Sequence, residues 1–191
     1  MRIIAGSKRG MKLLSPRGRN SRPITDRVKE SLFSVLYNYG FPEGKVVGDL
    51  FSGVGSLGLE ALSRGAAFAT FVEKNPRIVT LLNRNIEKAG FAENSRVVTA
   101  DAYNVAAPAF GAQGRYELVF VDPPYAQTQQ FTEESALGRL LARLAEPSVP
   151  GAFVVVRTHN RTFLPEALGG LRTIERRQWG NMAVTLFEVA E

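Results

Sequence analysis

The apolar run Leu118-Val119-Phe120-Val121 leads directly into Asp122-Pro123-Pro124-Tyr125. An unbroken apolar stretch with no polar alternation predicts a strand covered on both faces, and such strands belong to parallel sheets flanked by helices. The two prolines cannot donate backbone hydrogen bonds, so the strand stops there and the turn is held extended. A carboxylate, a rigid turn with carbonyl acceptors and an aromatic face are thereby placed at one mouth of a sheet. Asp122 and the proline carbonyls could accept hydrogen bonds from an incoming amino group, and Tyr125 offers a face to a flat heterocycle. The combination suits methylation of an exocyclic NH2 on a nucleobase. A purely structural proline turn would also explain the string taken alone, so its companions decide.

Upstream, Val46-Val47-Gly48-Asp49-Leu50-Phe51 reads as a short buried strand, followed by Ser52-Gly53-Val54-Gly55-Ser56-Leu57-Gly58. Glycines at 53, 55 and 58 let the backbone approach a ligand closely and turn into a helix. This G-x-G-x-x-G pattern fits a dinucleotide site equally well. Glu73, with Lys74 behind it, ends the next apolar stretch about 20 residues on, where a carboxylate accepts hydrogen bonds from ribose hydroxyls of a nicotinamide or an adenosyl cofactor. Asp101, with Ala102 next, follows Arg96-Val97-Val98-Thr99-Ala100 and could receive an adenine amino group. Each acid alone reads as a solvated loop charge. Three acids, each just past a strand and all ahead of Asp-Pro-Pro-Tyr, are hard to explain that way.

The rest of the chain supplies the alternation such a sheet needs. Arg2–Ile4 and Lys12–Leu14 could pair as a small hairpin around Gly6–Gly10, and Thr25 or Asp26 could cap a helix whose apolar positions Val28, Leu32, Val35, Leu36 and Tyr39 follow helical spacing. A strand is expected at 45–50, a helix at 56–64, a strand at 68–72, and a helix opened by Asn75 and Pro76 and stopped at Gly90. Strands at 96–99 and 116–121, a helix marked by Leu137, Leu140, Leu141 and Leu144, a strand at 152–156 and a closing hairpin at 171–177 with 182–189 complete the series. Strands alternating with helices imply an α/β fold. We divide it into a basic N-terminal extension, 1–40, and a catalytic domain, 41–191. Ligands in such sheets bind beyond the carboxyl ends of the strands, where Asp49, Gly53, Glu73, Asp101 and Asp122 all fall.

The Gly-rich loop, Glu73, Asp101 and Asp-Pro-Pro-Tyr resemble the successive motifs of class I S-adenosylmethionine-dependent methyltransferases of the amino-methylating kind. The segments Arg2-Ile3-Ile4-Ala5-Gly6, Lys8-Arg9-Gly10-Met11-Lys12-Leu13 and Arg22-Pro23-Ile24-Thr25-Asp26-Arg27-Val28-Lys29-Glu30 narrow this further. They resemble the start of the bacterial RsmD family, enzymes that methylate N2 of a guanine in 16S ribosomal RNA. The likeness runs from Arg2 to the last strand around Phe187, and the Arg-Pro-x-Thr-Asp-Arg-Val-Lys-Glu stretch is its most specific part. Ile24 departs from it, standing where a small polar residue, often Thr, is expected. The resemblance implies a Rossmann-like seven-stranded sheet, mostly parallel with an antiparallel last strand, and no metal. It implies Asp49, Phe51, Gly53, Gly55, Glu73, Lys74, Asp101, Ala102 and Thr25 as cofactor residues, with Asp122, Pro123, Pro124 and Tyr125 at the transfer step. The implied acceptor is a guanine in a hairpin loop of the small subunit, 16S rRNA being presented in an assembled or partly assembled 30S particle.

Charge placement agrees with a nucleic-acid partner. Residues 1–30 hold nine Lys or Arg against two acids, a net +7 in a chain of net +6. The expected RNA contacts are Arg2, Lys8, Arg9, Lys12, Arg17, Arg19, Arg22 and Arg27, since such an arm neutralises phosphates without reading sequence. From charge alone, a solvated basic tail is an equal alternative. The chain has no cysteine and one histidine, so neither a disulfide nor a structural zinc site is expected. No apolar run approaches the roughly 20 residues that span a membrane, and the start lacks a signal peptide's apolar stretch after its charges, so we expect a cytoplasmic protein; separately, a monomer is expected. His159 is expected at a strand end or on the surface, with Trp179 and Phe187 in packing. Three rival classes stand beside the main reading: an adenine-N6 methyltransferase, a Rossmann oxidoreductase, and a non-catalytic RNA-binding protein. A protein-glutamine methyltransferase would usually carry Asn in place of Asp122.

Overall fold

The computed structural model describes residues 1–16, 24–104, 114–129 and 131–190. Strands β1 (Val46–Leu50), β2 (Phe68–Glu73), β3 (Ser95–Thr99), β4 (Tyr116–Val121) and β5 (Ser148–His159) pair in parallel, in the order β3-β2-β1-β4-β5. β8 (Met182–Val189) then joins β5 antiparallel, followed by β7 (Leu171–Trp179) and a two-residue edge strand β6 (Ala167–Leu168). The expected seven-strand arrangement is therefore present, with β6 as a short addition. β5 outruns its apolar stretch at 152–156 because Arg157, Thr158 and His159 continue the ladder against Val184, Ala183 and Met182.

Helix boundaries follow local chemistry. In α1 (Asp26–Asn38) the Thr25 hydroxyl accepts a hydrogen bond from the Val28 amide at 3.4 Å, and in α3 (Pro76–Ala89) Asn75 caps Arg77 while Pro76 opens the first turn. α3 stops at Gly90, whose φ of 71° is left-handed. Tyr39, expected as the last apolar position of α1, is instead the residue just past its end and is exposed. α2 (Gly58–Ser63) is shorter than expected, since the chain at Ser56 and Leu57 is still leaving the glycine loop. Side chains of β4 alternate between two cores. Leu118 and Phe120 pack with α1, α2 and α3, whereas Val119 and Val121 pack with α4 (Ala136–Ala142).

The N-terminal segment is held by polar anchors rather than by a long hairpin. Arg2 and Lys12 make a single antiparallel bridge around a 3-10 turn at Gly6–Lys8, and Ile3 and Leu13 are buried in the core that α1 and α2 share. Glu60 is the main anchor: its carboxylate accepts the Ile4 and Ala5 amides at 2.9 and 3.0 Å, Lys29 Nζ at 3.1 Å and Arg64 Nε at 2.9 Å. Lys29 and Glu60 are both fully buried. Burial holds the Lys29 ammonium below its ordinary pKa, with the Glu60 charge opposing. At Gly6 (φ +78°) the arm lies so close to α2 that a Cβ would sit 1.8 Å from the Ser63 carbonyl oxygen. Ile24 is buried in the same core, so its departure from the expected polar residue places it in packing.

Removing one partner of a buried ion pair strands the other charge, at a cost of about 3–5 kcal/mol. Glu60→Ala should lower the unfolding free energy by that order in a urea titration, whereas Arg2→Ala, which breaks only the exposed pair with Asp26, should change it little.

Candidate active site

The parallel register aligns the carboxyl ends of four strands. Leu50, Val72, Val121 and Val156 form one row across β1, β2, β4 and β5, so Phe51, Glu73, Asp122 and Arg157 follow together at the next position. Asp101 comes two residues past the end of β3. The acids that the sequence distributes over some 70 positions are thus gathered at one edge.

Phe51 has φ +62°, and no other described residue apart from glycine has positive φ. A bulky side chain in the left-handed region costs roughly 1–2 kcal/mol, so the surroundings must impose it. Its ring packs edge-on against Tyr103 with centroids 4.8 Å apart. Gly53 (φ +55°) follows, and a Cβ there would meet no atom within 4 Å, so open space remains where the loop turns. The Gly53 amide donates to Glu73 Oε2 at 3.1 Å and the Asn75 amide to Oε1 at 2.8 Å, which fixes the carboxylate and leaves further lone pairs on both oxygens. Lys74 Nζ lies 3.3 Å from Asp101 Oδ2, the Tyr103 amide donates to Asp101 Oδ1 at 3.1 Å, and Ala102 is buried between them in sequence. The Tyr103 hydroxyl is buried with no partner among the described residues, and burial pushes its pKa up to about 12. Open space beside Gly53, fixed carboxylates at Glu73 and Asp101 and the ring of Phe51 fit an adenosyl group carrying ribose hydroxyls and an amino group.

At the end of β4, Asp122 Oδ1 accepts from Arg157 Nε at 2.5 Å, with the two side chains 18% and 12% exposed. Among the described residues Asp122 Oδ2 and the Pro123 carbonyl carry no hydrogen bond, whereas the Pro124 carbonyl accepts from the Gln127 amide. The two proline carbonyls are thus not equivalent as acceptors. Burial raises the Asp122 pKa and Arg157 opposes the rise. The Tyr125 ring lies edge-on to His159 at 6.1 Å, and the Arg157 guanidinium sits 5.6 Å from the ring centroid. His159 ends β5, as expected of a strand-end residue; Phe187 is buried in the core that α4 covers, and Trp179 packs against the core on the other face of the sheet. Sequence reasoning misses Arg157. Its signal was the strand register that puts it beside Asp122.

Other expected residues lie elsewhere or apart. Thr25 is exposed and its hydroxyl caps α1. Lys8 bonds through its amide to Ser63 Oγ at the far end of α2 from Gly58, about 7.5 Å away along a helix rising 1.5 Å per residue. Its ammonium rests 5.7 Å from the Phe91 ring centroid. Arg2 pairs with Asp26, while Arg9, Lys12 and Arg27 are exposed and have no ion pair among the described residues. Arg17, Arg19 and Arg22 fall outside the described residues.

Comparison with known proteins gives a consistent set of likenesses. Residues 1–188 match the family model described as conserved hypothetical protein 95. The chain is 32% identical over 190 residues to "Putative rRNA methyltransferase YlbH" of Bacillus subtilis, covering 98% of each. It is 42% identical over 128 residues to ribosomal RNA small subunit methyltransferase D of Escherichia coli, which is 65% of this chain and 60% of that relative. The solved structure of "Putative methyltransferase yhhF" from Escherichia coli superposes with a TM-score of 0.81 at 31% identity, covering 100% of this chain and 98% of that one. An RNA methyltransferase from Salinibacter ruber, solved in complex with S-adenosyl-L-homocysteine, shares the fold at a TM-score of 0.62 and 19% identity, over 89% and 95% of the two chains.

Asp49 titrates unlike an ordinary aspartate. Only 1% exposed, it accepts the Gly58 amide at 2.8 Å, and burial pushes its pKa from 3.8 to about 7, opposed by that amide and reinforced by the charges of Asp122 and Glu73. Between those two pH values the folded protein holds a proton there that the unfolded chain releases. The contribution of Asp49 to stability is therefore greatest below pH 3.8, falls as pH rises, and levels off above about 7. In denaturant titrations of the unliganded protein, wild type should lose stability relative to Asp49→Asn across that window, with a constant difference above it.

Proposed function

We propose, from the premise that this chain belongs to the family of conserved hypothetical protein 95 and is an RsmD-like S-adenosylmethionine-dependent methyltransferase of ribosomal RNA, that its acceptor is the exocyclic N2 of one guanine in 16S rRNA. The observation that carries the finer reading is the pair of neighbouring acceptors at the end of β4. Asp122 Oδ2 and the Pro123 carbonyl stand without partners among the described residues, while Arg157 holds the other carboxylate oxygen.

When bound, S-adenosylmethionine supplies a methyl group on a positively charged sulfur. Glu73 would take the ribose hydroxyls and Asp101 the adenine amino group, with Phe51, Lys74 and Ala102 around the ring and Gly53 and Gly55 giving the backbone room. Guanine N2 is a poor nucleophile because its lone pair is delocalised into the base. Asp122 Oδ2 and the Pro123 carbonyl accept its two N–H groups, which draws the lone pair out of conjugation and orients it. Orientation of this kind contributes up to about 7–11 kcal/mol in favourable cases. The methylated amino group is cationic and sheds one proton. Asp122 Oδ2 is suited to take it, since burial raises its basicity above that of an exposed carboxylate. The base must leave its stack to reach the turn, and the Tyr125 ring compensates part of that cost.

The exposed cations Arg9, Lys12 and Arg27, with Arg17, Arg19 and Arg22, supply phosphate contacts in this reading. The 1–40 segment acts as the RNA-facing part and 41–191 as the catalytic part. An arm of this size reads little sequence, so the shape of an assembled or partly assembled 30S particle contributes to selection. The enzyme acts as a cytoplasmic monomer. No helix among the described residues is long and apolar enough to cross a membrane.

The test is transfer of labelled methyl to unmodified 30S particles, naked 16S rRNA and duplex DNA, followed by nucleoside analysis. N2-methylguanosine from an RNA substrate is the expected product; N6-methyladenine would overturn the choice of acceptor. Asp122→Ala should reduce transfer by about 10²-fold or more with S-adenosylhomocysteine affinity retained, whereas Glu73→Ala should weaken that affinity directly. Near-normal turnover by Asp122→Ala with cofactor bound would rule the acceptor pair out.

A further inference from the structure

We infer that the turn leaving β5, with Phe163 at its tip and Arg176 behind the ring, is a stacking platform for an unpaired RNA nucleotide beside the target base. The inference rests on the RNA reading above and extends it to a surface outside the N-terminal arm.

Phe163 is 72% exposed, although a turn of this length has no need of an aromatic residue. Its presentation is built. The neighbouring Thr162 is buried, its hydroxyl donates to the Thr128 carbonyl at 2.8 Å, and the Thr128 hydroxyl donates to the Tyr125 carbonyl at 3.0 Å. These two bonds fasten the β5 turn to the Asp-Pro-Pro-Tyr turn. Arg176 on β7 donates from Nη2 to the Asn160 carbonyl at 2.6 Å and places its guanidinium 4.8 Å from the Phe163 centroid. A cation fixed against a ring draws on its π-density and sets its angle, so the ring stands as a held plane.

Charge and continuity identify the occupant. Arg172 and Arg177 on β7 are neutralised by Glu188 and Glu175, but Arg161 and Arg176 beside Phe163 have no acidic partner among the described residues. An exposed aromatic plane flanked by uncompensated arginines matches a base with its phosphates better than it matches an apolar protein surface. The platform also continues from the site. Arg157 touches Asp122 and the Tyr125 ring, Tyr125 meets His159, and the Arg161 amide donates to His159 Nδ1 at 3.2 Å, which assigns the neutral ring proton to Nε2. When the target base is drawn into the site its neighbour loses a stacking partner, and Phe163 supplies a replacement.

The experiment measures binding of a fluorescein-labelled single-stranded RNA of mixed sequence, and of the same RNA annealed into a duplex, to wild type, Phe163→Ala, Phe163→Leu and Phe163→Trp. Because residue 163 is exposed, these variants should fold normally, and unchanged S-adenosylhomocysteine affinity verifies that. The expected result is about a tenfold loss of single-strand affinity for Ala and Leu, near-wild-type affinity for Trp, and no change for the duplex. Equal single-strand affinity for Ala and wild type overturns the platform. So does rescue by Leu as complete as by Trp, or a loss seen only with whole 30S particles, which would assign Phe163 to a ribosomal protein. If the wild type transfers methyl to no RNA, the proposed function falls, yet a loss specific to single strands in Phe163→Ala still supports the platform.

Discussion

Glu60 is the point on which the arrangement of the first two helices and the N-terminal segment depends. A carboxylate with no solvent contact is costly unless its lone pairs are used, and here two backbone amides, an ammonium and a guanidinium use them. Such an ion pair is not in itself a large source of stability against a well-packed apolar alternative. What it provides is specification, since only one juxtaposition of Ile4, Ala5, Lys29 and Arg64 satisfies it. α2 is thereby set, and with it the Gly58 amide that reaches Asp49. Lys29 also donates to the Arg2 carbonyl and to Ser56 in the glycine loop, so the loop and the arm share one hub.

From that fixed helix the active edge is assembled by strand register. Because Leu50, Val72, Val121 and Val156 are aligned, the next residue of each strand falls at one edge of the sheet, and chemistry distant in sequence becomes adjacent. The backbone strain at Phe51 and the raised carboxyls of Asp49 and Asp122 are concentrated along this edge. That concentration is expected where a scaffold trades stability for function. Arg157 moderates it, offsetting the burial of Asp122 while leaving one of its oxygens free of hydrogen bonds among the described residues.

Features written in local chemistry were legible in the sequence. The Asn75-Pro76 opening and Gly90 stop of α3, the run into Asp122 and the carboxylates after β2 and β3 depend on neighbours a few residues away. The Arg157–Asp122 pair spans 35 residues and joins two strands through register alone, so no spacing announces it. The extension of β5 was missed for a related reason: Arg157 and His159 are polar, and only pairing with β8 makes them a strand. No local pattern marks Glu60 as a buried anchor, and in the sequence Lys29 counts as one more cation of a basic arm. Counting charge overstated that arm, because Lys29 is buried against Glu60 and Arg2 is paired with Asp26. The Thr25 hydroxyl caps α1, one of the two caps that its place ahead of the apolar positions offered.

Asn85 carries a consequence for how the molecule comes apart. Its side chain accepts the Leu14 amide and donates to the carbonyls of both Leu14 and Val54, so one buried amide group joins the N-terminal segment to the glycine loop. Chain ends ordinarily fray at little cost and are the first places a protease finds. Here, lifting the first fourteen residues would unsatisfy Asn85 and uncover Ile3, Leu13 and the Glu60 carboxylate together. Detachment of residues 1–14 and loosening of the glycine loop therefore belong to one cooperative unit, and the segment behaves as structural wall rather than as tail.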